Sequence, residues 1–226
     1  MRIGVVVASE KERKAFLDIF GRPNSIDIRK KTFEVFIWHY INKHIYLILS
    51  GIGEIAAATS VQYLIDRYNV DRIINYGVVG GLSEEHEARK LGIVQCAIHY
   101  DFDITLDTDL RVGEYPDEGL YLAPNKAAVP EDATTGLTRF ICASADKIVG
   151  GGEPKRRLKR DFGADICEME AAGIIRTCNR NCVPCTLVKA ISDSVDEDAE
   201  EFDQNVYAAS RACVRLVKKL IRVVDH

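Results

Sequence analysis

No apolar run in the sequence is long enough to cross a membrane. A spanning helix takes roughly 20 such residues, and the most apolar stretches, residues 3–8 and 45–49, are strand-length. The first is also too short for the core of a secretory signal and runs straight into Ser9-Glu10-Lys11-Glu12. Positive charge is not in excess: 30 Lys and Arg against 34 Asp and Glu give a net charge of −4. With no surplus of cations to displace phosphate counterions, a general nucleic-acid binder is excluded. Repeats, low-complexity segments and linkers are missing. The histidines at 39, 44, 86, 99 and 226 show no metal-ligand spacing. The 7 cysteines are odd in number and mostly sit in apolar segments, where a reduced thiol behaves as a small hydrophobe. Cys178, Cys182 and Cys185 cluster but lack the fourth ligand that a closed zinc site takes. These absences imply a soluble, cytoplasmic chain with no metal and no cofactor.

What is present is enough apolar material for a core: 47% of 226 residues. Strand-like and helix-like segments alternate. Residues 3–8 read as a strand buried on both faces. Ser9 followed by Glu12 has capping-box spacing and predicts a helix at once. Residues 33–40 and 44–49 read as a hairpin, and Ser50-Gly51-Ile52-Gly53 breaks it. Ile55, Ala58, Val61, Leu64, Ile65 and Tyr68 follow at helical spacing. Further strands are predicted at 72–79, 92–98, 138–145, 165–167 and 186–191, and helices near 154–162, 171–179 and 200–224. Between 99 and 133 the chain is rich in Asp, Gly and Pro, and a loop that long is usually functional or mobile. The pattern is that of one α/β domain over residues 1–226 with a mixed, largely parallel sheet.

In open α/β sheets ligands bind at the carboxyl ends of strands. Carboxylates recur there: Glu10 and Glu12 after the first strand, Glu168 and Glu170 at a strand-to-helix junction, and Asp193 after the last strand. Any one alone reads more readily as a helix-terminal charge or cap. Their joint placement suggests acid–base chemistry, because paired acids can divide the roles of donor and acceptor.

Taken in order, Glu12, Ser50-Gly51-Ile52-Gly53, Asn75-Tyr76-Gly77-Val78-Val79-Gly80-Gly81, Cys167-Glu168-Met169-Glu170-Ala171 and Ala190-Ile191-Ser192-Asp193 resemble the nucleoside phosphorylase superfamily. The nearest branch is the 5′-methylthioadenosine/S-adenosylhomocysteine nucleosidases. The resemblance implies a three-layer α/β/α fold around a central twisted mixed sheet, usually dimeric, and hydrolysis of a purine nucleoside as a small-molecule substrate. By position it implies Asp193 as the acid that protonates N7 of the base and Glu12 as the base that activates water. It also implies a substrate-binding set of Ile52, Gly80, Ile148, Val149, Glu168, Met169, Glu170 and Ser192. Glu170 would accept from ribose hydroxyls while Met169 packs under the sugar.

Departures from the family pattern matter. Val78 and Val79 replace a small hydroxyl-bearing pair and offer phosphate nothing, so hydrolysis is favoured over phosphorolysis. Ile148 falls where an aromatic commonly stacks on the base, and Lys189 replaces an arginine. A phosphate-dependent phosphorylase, a futalosine-type nucleosidase and a non-catalytic nucleoside-binding protein stay open as alternatives. The basic run 155–160 reads as a solvated helix face, and the acids at 196–198, 200 and 201 as favouring a helix start. The segment His99-Tyr100-Asp101-Phe102-Asp103 resembles the family's loop near a dimer interface, with Tyr115 reaching a partner's site as one expectation.

Overall fold

The structure, a computed structural model, describes residues 1–30, 33–83, 90–193 and 199–224. Nine strands and five α-helices follow one another as β1 (Arg2–Val7), α1 (Glu10–Phe20), β2 (Ser25–Lys30), β3 (Phe33–Tyr40), β4 (Lys43–Leu49), α2 (Glu54–Tyr68), β5 (Arg72–Gly81), β6 (Leu91–His99), β7 (Thr138–Ser144), α3 (Glu153–Phe162), β8 (Ile166–Glu168), α4 (Ala171–Arg180), β9 (Cys185–Asp193) and α5 (Ala199–Val223) among the described residues. All but β2 correspond to segments read from the sequence. β2 escaped because its pattern, Ser-Ile-Asp-Ile-Arg-Lys, leaves Ile26 and Ile28 exposed on an edge and offers no core-facing stripe.

The strand order is β2-β3-β4-β1-β5-β8-β7-β6-β9, with β5 also paired to β9. β5 therefore forks. Residues 73–79 run parallel to β9, while Gly80 and Gly81 pair antiparallel with β8. The fork closes β5, β8, β7, β6 and β9 into a ring, and β1, β4, β3 and β2 extend from it as an open wing. The sheet is mixed more evenly than the periodicity alone predicts: the β2–β3, β3–β4, β5–β8 and β6–β9 pairings are all antiparallel.

Helices cover both faces, which gives the three layers. In β1, side chains alternate between them. Ile3, Val5 and Val7 join the core under α1 and α5, while Val6 joins the core under α2 and α4. A smaller cluster of Leu82, Ala143, Leu158, Ala164 and Cys167 seats α3 on the rim where the strands end. No helix among the described residues is long and apolar enough to cross a membrane.

Candidate active site

A cavity of about 610 Å³ opens at the carboxyl ends of β1, β5, β8 and β9. Glu12, Ile52, Gly80, Ile148, Val149, Glu168, Met169, Glu170 and Asp193 all line it, together with Ser9, Val78, Val79 and Val206. Residues from seven separate segments of the chain thus meet at one pocket.

Glu12 is placed by its own helix. Ser9 is the N-cap of α1, and both arms of the capping box are present. The Glu12 carboxylate turns back so that Oε2 accepts from the backbone N–H of Ala8 at 3.0 Å and of Ser9 at 2.9 Å. Its Oε1 accepts from the N–H of Val78 at 3.1 Å, which ties α1 to β5. Gly77 makes this approach possible: a Cβ there would stand 2.8 Å from Oε1. Tyr76, fully buried, donates its hydroxyl to the Glu12 carbonyl at 2.7 Å. Burial raises the Glu12 carboxyl above its ordinary value, opposed by the nearby Lys189 ammonium and the backbone donors.

Behind the cavity floor lies a buried network. Glu168 accepts from Lys189 Nζ at 2.9 Å, from Ser144 Oγ at 2.6 Å and from the N–H groups of Glu170 and Ala171 at the start of α4. Burial alone would raise its carboxyl, but Lys189 and these donors outweigh that and hold it below the usual range. Glu168 thus lines the cavity while its oxygens accept from the protein around it. Burial works against the Lys189 ammonium too, but Glu168 and Glu170 more than offset it and raise its pKa. Ser144 Oγ also touches Glu54. One hydroxyl proton cannot serve two carboxylates, and Glu54 supplies the second, since burial and the Glu168 charge push its carboxyl up to about 7. Glu170 accepts from Gly53 N–H at 3.1 Å, and burial with the adjacent Glu168 charge pushes it up to about 8.

Asp193 is aimed by an irregularity in β9. Val79 pairs with Ile191 and Gly80 with Asp193, so Ser192 is an extra residue, a bulge of the kind that re-aims a neighbouring side chain. Ser192 Oγ lies 2.7 Å from Asp193 Oδ1 and 3.2 Å from the Val79 carbonyl. It is fully buried and does not line the cavity, so the structure places it behind Asp193 rather than on the binding wall. The other Asp193 oxygen pairs with Lys155 Nζ from α3.

Lys155 corrects the reading of the 155–160 run. Arg156, Arg157 and Arg160 are exposed, but Lys155 is 1% exposed and faces the sheet. A signal was available: Lys155, Leu158 and Phe162 are spaced by three and four residues, so the lysine heads the helix's one apolar stripe. Gly80 leaves space for it rather than only for a ligand; a Cβ would lie 3.2 Å from Lys155 Cε.

Ile52 and Ile148 are among the most exposed apolar side chains, at 62% and 79%, and form the mouth. Tyr115 lies elsewhere: it stacks on Phe102 at 3.9 Å, sits under the Arg176 guanidinium at 3.5 Å and hydrogen-bonds His99 Nδ1 at 2.6 Å. Cys178 and Cys185 are buried and Cys182 is exposed. His86, His226 and residues 196–198 lie outside the described residues, as do the side chains of residues 200 and 201.

A mixed α/β sheet with carboxylates from several strand ends converging on one pocket defines a class, and the chain belongs to it. The profile of the Phosphorylase superfamily matches residues 2–222. Within that family, the chain is 26% identical over 230 residues to the 5′-methylthioadenosine/S-adenosylhomocysteine nucleosidase of Shewanella sediminis, covering 98% of this chain and 99% of that one. It is 25% identical over 228 residues to the aminodeoxyfutalosine nucleosidase of Helicobacter pylori, covering 97% of each. The Helicobacter pylori 5′-methylthioadenosine/S-adenosylhomocysteine nucleosidase solved with butyl-thio-DADMe-Immucillin-A superposes with a TM-score of 0.89 at 22% identity over 99% of each chain, which shows a common fold.

Proposed function

We propose that the protein hydrolyses the N-glycosidic bond of a purine nucleoside carrying a 5′-substituent, releasing free base and a ribose derivative. The observation that carries this reading is that Glu12 and Asp193 stand on the wall of a single cavity of about 610 Å³. Such cleavage passes through an oxocarbenium-like state that needs a proton on the leaving group and a water on the opposite face.

Asp193 is the donor to N7 of the base. Glu12 is the acceptor for the water proton. A carboxylate has about four acceptor sites; three Glu12 sites are filled by the N–H groups of Ala8, Ser9 and Val78. The remaining site on Oε1 is the one that orients a water, and the backbone cage keeps it fixed. Glu170 meets the ribose hydroxyls: protonated near neutral pH, it both donates and accepts. Met169 packs under the sugar, and Ile52, Ile148 and Val149 border the base and the 5′-group.

Hydrolysis rather than phosphorolysis is favoured because Val78 and Val79 bring no hydroxyl to the wall. Among the described residues the cations on it are Lys11 and Lys147, so phosphate is the necessary control. The relatives are named for different nucleosides, so the 5′-group is tested rather than chosen. A homodimer in the cytoplasm is part of the same reading, with exposed Ile55 and Leu106 as apolar surface. The test is base release from methylthioadenosine, adenosylhomocysteine, inosine and futalosine, with and without phosphate. We expect release without phosphate, and Glu12→Gln and Asp193→Asn each to slow it by about 10²–10⁴-fold. Release only with phosphate overturns the hydrolase reading, and release from none overturns the activity.

A further inference from the structure

A carboxylate paired with an ammonium has no proton of its own to give. Asp193 stands in this position, because Lys155 Nζ holds its Oδ2 in a pair of which the lysine side is 1% exposed and the aspartate side 13%. The arrangement is built. Lys155 heads the buried stripe of α3, and the missing side chain at Gly80 leaves Cε and Nζ the space they fill. The bulge at Ser192 turns Asp193 toward both the lysine and the cavity.

The other titratable groups about the pair among the described residues do not supply a proton near neutral pH. The Cys167 thiol of β8 and the Tyr100 hydroxyl after β6 are both pushed up to about 12 by burial. Glu168 is held ionised against Lys189. The proton-bearing group in contact with Asp193 is the Lys155 ammonium.

Resting on the nucleosidase reading above, we propose that Lys155 is a positioning residue that feeds Asp193 the proton it passes to the departing base. The ammonium N–H bond breaks as an O–H bond forms on Asp193, and that O–H bond then breaks as N7–H forms. The electrons of the glycosidic bond stay with the base. Charge balances, since Lys155 becomes a neutral amine as the ribosyl ring becomes cationic. Water then adds to the ring carbon and yields its proton to Glu12. After the base has left, Lys155 regains a proton from solvent and Glu12 releases the one it took from water.

The test compares wild type, Lys155→Met and Lys155→Arg in base release between pH 5 and 10, with circular dichroism to establish that each is folded. Lys155→Met is expected to lower kcat by about 10²-fold with KM changed only a few-fold. Its alkaline limb should move to lower pH, because Asp193 must then take its proton from solvent. Lys155→Arg keeps the charge, but a guanidinium does not release its proton, so its kcat should stay near that of the methionine variant. An arginine variant with wild-type kcat and pH profile overturns proton supply, leaving a role for charge alone. A methionine variant with wild-type kcat overturns any role for the pair. If the methionine variant does not fold, the arginine variant decides. Wild-type protein releasing no base from any nucleoside overturns the proposed activity itself and this inference with it, a result distinct from either variant outcome.

Discussion

The two carboxylates on the cavity wall are held by opposite means. Glu12 is gripped by backbone: the N–H groups of Ala8 and Ser9 just before its helix and one from β5. Asp193 is gripped by side chains, the Ser192 hydroxyl beside it and the Lys155 ammonium from a helix 38 residues away in sequence. Backbone amides have no titration near neutral pH and little freedom to move, so the Glu12 shell fixes geometry. A lysine–aspartate pair can exchange a proton and shift with α3, so the Asp193 shell can change state. An acceptor for water gains most from the first arrangement and a donor to a leaving group from the second.

The glycines beneath the two shells offer the largest test of this difference. Gly77→Ala would put a Cβ 2.8 Å from Glu12 Oε1 with a rigid cage around it, so the carboxylate must leave its position. Displacement of a reacting group by about 1 Å can cost about 10²-fold, and kcat should fall on that scale. Gly80→Ala meets the flexible stem of Lys155 at 3.2 Å and Cys167 Sγ at 3.1 Å. The stem can yield by a few tenths of an ångström, so kcat should fall less than about tenfold. Steady-state rates of the two variants check the order; equal losses would mean the shells are equally rigid.

The same contrast explains what was legible in the sequence. Glu12 could be placed from Ser9-x-x-Glu12 because a capping box is a local device, and the helix it starts begins where its spacing predicts. The EMEA and AISD segments marked the right strand ends. The Asp193 shell was not legible. The bulge at Ser192 arises from pairing between β5 and β9, residues more than a hundred positions apart, and no local pattern encodes it. Lys155 was read as solvated because charge in a basic run is usually exposed; only its place on the Leu158 and Phe162 stripe distinguishes it. Likewise the bond of Glu168 to Lys189 has no local signal, because it depends on β8 and β9 folding near one another.

A smaller effect sharpens the comparison through pH. The Glu54 and Glu170 carboxyls lie at about 7 and about 8 against 4.5 ordinarily. Between those limits the folded chain keeps protons that the unfolded chain releases, so stability falls as pH rises from about 5 to 8. The slope is at most about 1.4 kcal/mol per pH unit for each group. Glu168 has the opposite sign: lowered when folded, it adds stability above the ordinary value that is lost as pH falls through its folded one. Denaturant unfolding at pH 6 and pH 8 should show wild type weaker at pH 8, and Glu170→Gln should lose less over the same interval. An unchanged interval in the variant would place the titration elsewhere.

Division of labour between Glu12 and Asp193 is tested most directly by a leaving group that needs no proton. A ribosyl compound that departs as a stable nitrophenolate removes the task assigned to Asp193 and leaves that of Glu12 intact. Asp193→Asn should then cleave it within about tenfold of wild type, while Glu12→Gln should remain slower by about 10²–10⁴-fold. Asp193→Asn remaining as slow on this compound as on a purine nucleoside, or Glu12→Gln cleaving it at the wild-type rate, would contradict the assignment of donor and water activator to these two residues.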